Sequence, residues 1–366
     1  MKFCELEVVE FEKFVLGAPG ANFMQSREMY ERLKRSGREV YLLGVKQGSE
    51  IVCGGIAMKM GEKLKQKIFG IAMGPLVKEE TEEIFRIFTE GMSDFLRRKG
   101  GMAVQISPHI VVNRRNYEDE IVEEVNPEIK KTLQGLGYKD LGEVGQIKWE
   151  YVINLQGKTE EEIFNSFRKD VRTRIKQATL RYGVRIRDLG YDELSVMKEM
   201  ADEAVAAHGF RDRDLEYYQS MYEAFADKVK FVVAEAPKEV AEGQIKRIDE
   251  GDVKLSGKMV PISAVMYMLY GGEVLSLFSG VTRKYKNVGG CSHLIRWELI
   301  KYALENGYER YDFYGVRPEK GNSVYNFKAG FRGEIEELVG TQMLPLSKMG
   351  KIYTKRAKYY EYGDFS

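Results

Sequence analysis

Apolar residues along this chain fall into two recurring arrangements: short uninterrupted runs, and stripes spaced three or four residues apart. Val40–Val45 and Ile51–Met58 are runs of the first kind, separated by the polar stretch from Lys46 to Glu50. They predict consecutive strands joined by a turn. Ile84, Ile87, Phe88 and Met92 are spaced as a stripe and predict a helix over Glu79–Arg98, ending near Gly100 and Gly101. Met102–Ile106 reads as another strand, and Asn126–Gly137 as a short helix with Pro127 at its start. Strands and helices alternating in this way point to an α/β domain, not to a barrel or a bundle.

The pattern then repeats from about Trp149. Tyr151–Leu155 reads as a strand, and Thr159 with Glu162 has the spacing of a capping box. Ile163, Phe164, Phe167, Val171, Ile175 and Ala178 continue from it as one helical stripe. Val184–Ile186 is a strand, followed by helices over Leu194–His208 and Leu215–Phe225 and strands over Lys230–Ala234, Ser263–Tyr270 and Glu273–Gly280. The order echoes the first half, so a duplicated α/β unit is expected. A length of 366 residues suits two domains of ordinary size.

Chemistry concentrates toward the C-terminal end. Cys291, Ile295, Leu299 and Tyr302 make one stripe, predicting a helix over Ser292–Leu304 that Ser292 caps and Gly307 ends. Tyr311–Gly315 is an apolar strand closing on glycine, and a lone lysine, Lys328, stands among aromatic residues a little further on. Helix, strand, glycine and then an exposed cation is the layout of an α/β transferase that holds its substrate at a strand end. A cation there can stabilise an anion that forms only in the transition state. An ordinary surface lysine is the alternative reading.

Composition narrows the partners. Fifty-seven basic against 56 acidic residues leave a net charge of +1, so any contact with RNA rests on a local patch, not on a global field. Cys4, Cys53 and Cys291 are too few and too scattered for a disulfide framework. His109, His208 and His293 show no metal-ligand spacing with them, so no metal site is expected. The N-terminus lacks a basic segment followed by an apolar one, and no window approaches the roughly 18 apolar residues of a membrane span. A cytoplasmic protein is expected, with peripheral membrane contact left open.

Two segments carry a family signature: Gly307-Tyr-Glu-Arg-Tyr-Asp-Phe-Tyr-Gly315 and Phe327-Lys-Ala-Gly-Phe-Arg-Gly-Glu334. They resemble the strand Gly-x-x-x-Tyr-Asp-Phe-x-Gly and the segment Phe-Lys-x-x-Phe-Gly-Gly-Glu of the FemABX family. These are tRNA-dependent peptidyltransferases that add amino acids to the side chain of a peptidoglycan precursor. Arg332 stands where the first glycine of the usual pair is found. Gln25-Ser26, followed by a helix ending in Leu33-Lys34, resembles the family's Gln-Ser-x-x-Trp-x-x-x-Lys, with Tyr30 or Met29 in place of the tryptophan. His208-Gly-Phe-Arg-Asp-Arg213 with Glu216-Tyr-Tyr218 resembles its Arg-x-x-x-Tyr-Tyr/Phe segment.

The resemblance implies two tandem GNAT-like (acyl-CoA N-acyltransferase) domains of mixed α/β (α+β) class, over residues 1–148 with 346–366 and over 149–345. The tail would pack back onto the first copy. The coiled-coil arm of longer relatives is not expected, because Glu235–Met259 is short, charged and broken by glycines. The implied reaction is attack of an amine of the stem peptide on the ester of aminoacyl-tRNA, with UDP-MurNAc-pentapeptide or lipid II as acceptor. That ester is already activated, so no cofactor is expected. The protein has to align two substrates and stabilise the oxyanion. By resemblance, Lys328 takes the oxyanion role or binds the tRNA end, and Phe327 shapes the same channel or stacks on the terminal base. Lys34 corresponds to the lysine that binds the precursor's phosphate. Arg213 corresponds to the phosphate-binding arginine, with Tyr217 one helical turn on and Arg211 as the fallback. Arg172 and Lys176, within the cluster from Arg168 to Arg181, are candidates for tRNA binding. The alternative for that cluster is a solvated helix face. Ser107-Pro108 replaces an Asp-Pro frequent in the family, which rules out a carboxylate base there; His109 beside it is titratable, but a lone histidine next to proline is more often structural. No general base is assigned.

Two other readings stay open. A coenzyme A-dependent N-acetyltransferase shares the fold, and Lys286-Asn-Val-Gly-Gly-Cys291 is a degenerate form of its pyrophosphate loop. A non-catalytic RNA-binding or scaffold protein is the other.

Overall fold

The computed structural model describes residues 1–208, 213–249 and 255–357; Arg211 and the tail residues 358–366 lie outside the described residues. The chain divides into two compact units, Met1–Glu150 with Ile335–Ser366, and Tyr151–Glu334. The sequence boundary at 345 therefore moves to 334. The reason is pairing: Ile335–Leu338 runs against Val111–Arg115, and Gln342–Pro345 against Ala103–Ile106.

In the first unit the sheet runs in the order Lys2–Glu5, Val40–Gln47, Glu50–Lys63, Gln66–Ile71, Gly101–Ile106, Thr341–Pro345, Lys139–Gly142. All neighbours are antiparallel except Gln66–Ile71 and Gly101–Ile106, which are parallel. A parallel pair needs a crossover, supplied here by the Glu82–Arg98 helix, whose N-terminus Thr81 caps by accepting from Ile84 N–H. That helix buries Phe85, Phe88, Met92 and Leu96 against Phe69, Val104 and Ile106.

The second unit repeats the device. Arg185–Asp188, Val229–Pro237, Met259–Tyr270 and Glu273–Val281 form an antiparallel meander, and the Cys291–Glu305 helix then crosses over to Arg310–Gly315. The parallel ladder there joins only Glu273–Leu275 to Arg310–Asp312. Both strands run on beyond it, so their ends have left each other's hydrogen bonds before Phe313.

Two sequence expectations change in the second unit. The stripe from Ile163 to Ala178 is two helices, Glu160–Ser166 and Lys169–Leu180, because Phe167 and Arg168 are extended (ψ 149° and 142°). Arg168 N–H donates to Gly330 O at 2.9 Å, and the Phe167 ring packs on Phe331 and Trp297 (centroids 5.0 and 5.6 Å). The tertiary bond and ring burial thus outweigh helix continuity. Ser292 is not the cap of the crossover helix; Gly290 is, at φ 81°. A Cβ on Gly290 would lie 2.3 Å from Arg174 O, so only glycine allows this turn to press against the Lys169–Leu180 helix. The segment bearing Lys328, given no element from sequence, is helical over Ser323–Ala329 and capped by Asn322. Between Val229–Pro237 and Met259–Tyr270 the described residues hold one short helix, Lys238–Ala241, and no coiled-coil arm.

Candidate functional site

Where the parallel ladder ends, the carbonyls of Phe313, Tyr314 and Gly315 converge. Tyr314 takes φ 63°, and its N–H donates to Asp312 Oδ1 at 2.6 Å, a local turn that points successive carbonyls toward one place. Lys328 fills that place. Its ammonium donates to Phe313 O, Tyr314 O and Gly315 O at 2.8, 3.0 and 2.6 Å. The side chain is 7% exposed, against the exposed cation expected from sequence. An ammonium has three donors, and these bonds occupy all of them.

Phe327, half-buried beside it, packs edge-on to His293 and Phe331 with centroids 4.7 and 5.5 Å away. Phe331 in turn meets Phe313, and Phe313 meets Tyr151, so the strand end stands on a continuous aromatic core. His293 sits in the first turn of the crossover helix. Burial, and then the positive charge of Arg174, push its imidazole down to about 4. Cys291 just before it is pushed up to about 12 by burial, which leaves it a thiol without nucleophilic character.

Beside this helix start lies a cavity of about 780 Å³, lined by Gly289, Gly290, Tyr182 and the Arg168, Lys169, Arg174 and Gln177 face of the Lys169–Leu180 helix. Arg168 is held by Asp170, with Nε–Oδ1 at 2.5 Å. A second, shallower concavity of about 360 Å³ shares Thr173 and Gln177 and adds Lys176, Arg181 and Arg247. The two together make a cationic groove along one helix. Lys176 is therefore on the groove and also lies 5.7 Å over the Phe164 ring. Arg172 lines neither concavity; it donates weakly to Asn165 O at 3.3 Å. Arg174 belongs to the basic cluster read from sequence, whereas Tyr182 and Arg247 were not singled out there. Arg247 is distant in sequence from the helix, and only the return of its loop brings it there.

Arg213 stacks over the Tyr217 and Phe278 rings at 5.4 and 5.9 Å, and Asp214 caps the following helix through Tyr217 N–H. In the first unit Lys34 is exposed and lies 5.3 Å over the Tyr30 ring, while Met29 is buried. Tyr30 is thus the aromatic neighbour of that lysine. Gln25 is fully buried; it accepts from Ile56 N–H and donates to Ala72 O, so it ties strands together. Ser26 caps the Arg27–Arg35 helix. His109 places Nε2 2.8 Å from Glu150 Oε2 and Nδ1 3.3 Å from Gly20 O, the setting of a structural pair.

Among the described residues no group of His, Cys, Asp and Glu is arranged to hold a metal, and no helix is long and apolar enough to cross a membrane.

Comparison with known proteins gives a consistent picture. The sequence profile of the FemAB family matches residues 6–250 and 238–356. The aminoacyltransferase FemA of Staphylococcus aureus (strain bovine RF122 / ET3-1) is 25% identical over 405 residues, covering 95% of this chain and 96% of its own. The crystal structure of FemX superposes with a TM-score of 0.78 at 17% identity, covering 97% of this chain and 99% of that one. A tandem GNAT protein from the clavulanic acid pathway follows at a TM-score of 0.55 and 9% identity, covering 94% and 98%. The two units therefore have a tandem GNAT-like architecture.

Proposed function

The chain belongs to the FemAB family, and on that premise we propose that it is an aminoacyltransferase that builds the interpeptide bridge of peptidoglycan. It takes the amino acid from aminoacyl-tRNA and joins it to the amine of the stem peptide of UDP-MurNAc-pentapeptide or lipid II, in the cytoplasm. The match along nearly the whole chain supports this reading most directly.

The site fits such a reaction. The ester needs no activation, so alignment and a water-poor aromatic wall suffice for much of the rate. Phe327 forms part of that wall. Lys328 holds the strand end whose carbonyls and turn shape the channel, and its buried charge adds a fixed positive field close to the developing oxyanion. The cationic groove, with Lys176 on it and Arg172 at its flank, takes the phosphates of the tRNA end. Lys34 and the Arg213–Tyr217 pair each bind the precursor, whose phosphates call for fixed cations.

The test is transfer of a labelled amino acid from charged tRNA to UDP-MurNAc-pentapeptide or to lipid II, read by mass spectrometry of the product. No product with either acceptor and any charged tRNA would refute the reading. One observation favours a second reading: the large cavity opens at Gly289 and Gly290, the turn where acetyltransferases of this fold cradle a pyrophosphate. Thermal stabilisation by acetyl-coenzyme A, with none from UDP-linked muropeptide, would support that alternative.

A further inference from the structure

His293 packs into the aromatic wall around Phe327. Its centroid lies 4.7 Å from Phe327 and 5.9 Å from Phe331, nearly parallel to the latter at 20°. The residue is half-buried, and neither ring nitrogen has a hydrogen-bond partner among the described residues. Neither nitrogen is among the buried polar atoms that lack a partner, so both stay open to water or to an arriving substrate.

Charged groups face it from three helices. Arg168, Asp170 and Arg174 face it from the Lys169–Leu180 helix, Arg296 lies on its own helix, and the charge on the Ser323–Ala329 helix, Lys328, is turned onto backbone carbonyls. Gly289 and Gly290, four and three residues before it, line the large cavity, and the ring itself packs on Phe327 of the Ser323–Ala329 helix. The electropositive neighbours and burial keep it neutral across physiological pH, with its lone pair available.

Resting on the aminoacyl-transfer reading, we propose that His293 is the proton shuttle of the reaction, the catalytic base that the Ser107-Pro108 sequence does not supply. The acceptor amine attacks the ester carbonyl, forming the C–N bond and a tetrahedral adduct with a charged nitrogen. The imidazole takes one proton from that nitrogen. As the ester C–O bond breaks, it returns the proton to the leaving ribose oxygen. Amide and free tRNA are released, and the ring is neutral again. One group serves both transfers, first as base and then as acid.

The experiment compares wild type, His293→Gln and His293→Ala in amino-acid transfer from charged tRNA to the muropeptide acceptor, after circular dichroism confirms folding. Wild type has to transfer; a wild type inactive with every charged tRNA and acceptor would overturn the functional reading and this inference with it. With wild type active, H293Q is expected to lose about 100-fold in kcat, the scale of a lost general base, with KM for charged tRNA within about threefold. Added imidazoles are expected to rescue H293A in proportion to their basicity. A rise in KM without loss of kcat, a kcat within about threefold of wild type, or rescue independent of basicity would each overturn the proposal while leaving the transferase reading intact.

Discussion

The ammonium of Lys328 lies 2.6 Å from the carbonyl oxygen of Gly315, and the same group binds the two carbonyls before it. A residue expected to offer a free charge is the clamp that closes a splayed strand end. Lys328→Met leaves three carbonyls without that donor, at about 1–3 kcal/mol for each that stays dry. Partial hydration reduces the sum, and a loss of about 2–4 kcal/mol is expected, together with lost transfer. Chemical denaturation of K328M checks this. Unchanged stability with abolished transfer would show instead that the ammonium acts on substrate alone.

The two-unit plan was readable because each unit repeats a strand–helix–strand order whose apolar spacing is strong: Ile84, Phe88 and Met92 are all buried as their stripe demanded. Leu194–His208 and Leu215–Phe225 also match their predicted spans. What escaped was set by tertiary contacts that leave no periodic trace. The break at Phe167-Arg168 depends on Gly330 O, far along the chain, and the burial of Lys328 on a left-handed Tyr314. The motif residues could be found by resemblance; the neutral ring of His293 and the groove residue Arg247 could not. A lone histidine and a loop arginine look the same wherever they fold.

Lys34 and Arg213 are proposed to bind the precursor, each beside an aromatic ring that limits its motion. Charge-assisted hydrogen bonds contribute about 1.5–3 kcal/mol, and about 1.4 kcal/mol is tenfold in affinity. Lys34→Ala and Arg213→Ala are each expected to raise KM for the muropeptide at least about tenfold with little change in kcat. Arg213→Lys is expected to restore only part, since a point charge cannot reproduce the planar fork. Steady-state kinetics at varied acceptor concentration decide it; an unchanged KM for a variant means that its residue does not bind the precursor.

Glu337 gives the first unit an acid-sensitive lock. Burial pushes its carboxyl up, but hydrogen bonds from Asn113 and Arg115 and the charge of Lys148 outweigh that and hold it down at about 2. Its folded value is depressed, so the stabilisation is full above the ordinary carboxyl range near 4.5 and drains away as pH falls toward 2. Glu337→Gln is expected to lower the melting temperature at pH 7 and to approach wild type below pH ~3. Melting curves across that range test it; a difference independent of pH would contradict the coupling.

Arg332 occupies a left-handed backbone position, φ 56°, where the family pattern carries glycine. A side chain there costs about 1–2 kcal/mol of backbone strain, offset in part by the freedom glycine restores to the unfolded chain. Arg332→Gly is therefore expected to raise stability by about 0.5–1 kcal/mol, measured by denaturant unfolding. A destabilised R332G would mean that contacts of the arginine side chain outweigh the strain.

The cationic groove makes a prediction that separates residues within one helix. Lys176 lies on it with Arg181 and Arg247, whereas Arg172 points to Asn165 outside it. Each phosphate contact contributes about 0.7–0.9 to the slope of log affinity against log salt, so losing one contact lowers the slope by that amount. Lys176→Ala and Arg247→Ala are each expected to weaken tRNA binding and flatten its salt dependence. Arg172→Ala is expected to do less of both. Fluorescence anisotropy with labelled tRNA across a salt series measures this directly. Equal slopes for K176A, R247A and wild type would place the nucleic acid elsewhere, and a larger effect from R172A would move its path to the Asn165 side of the helix.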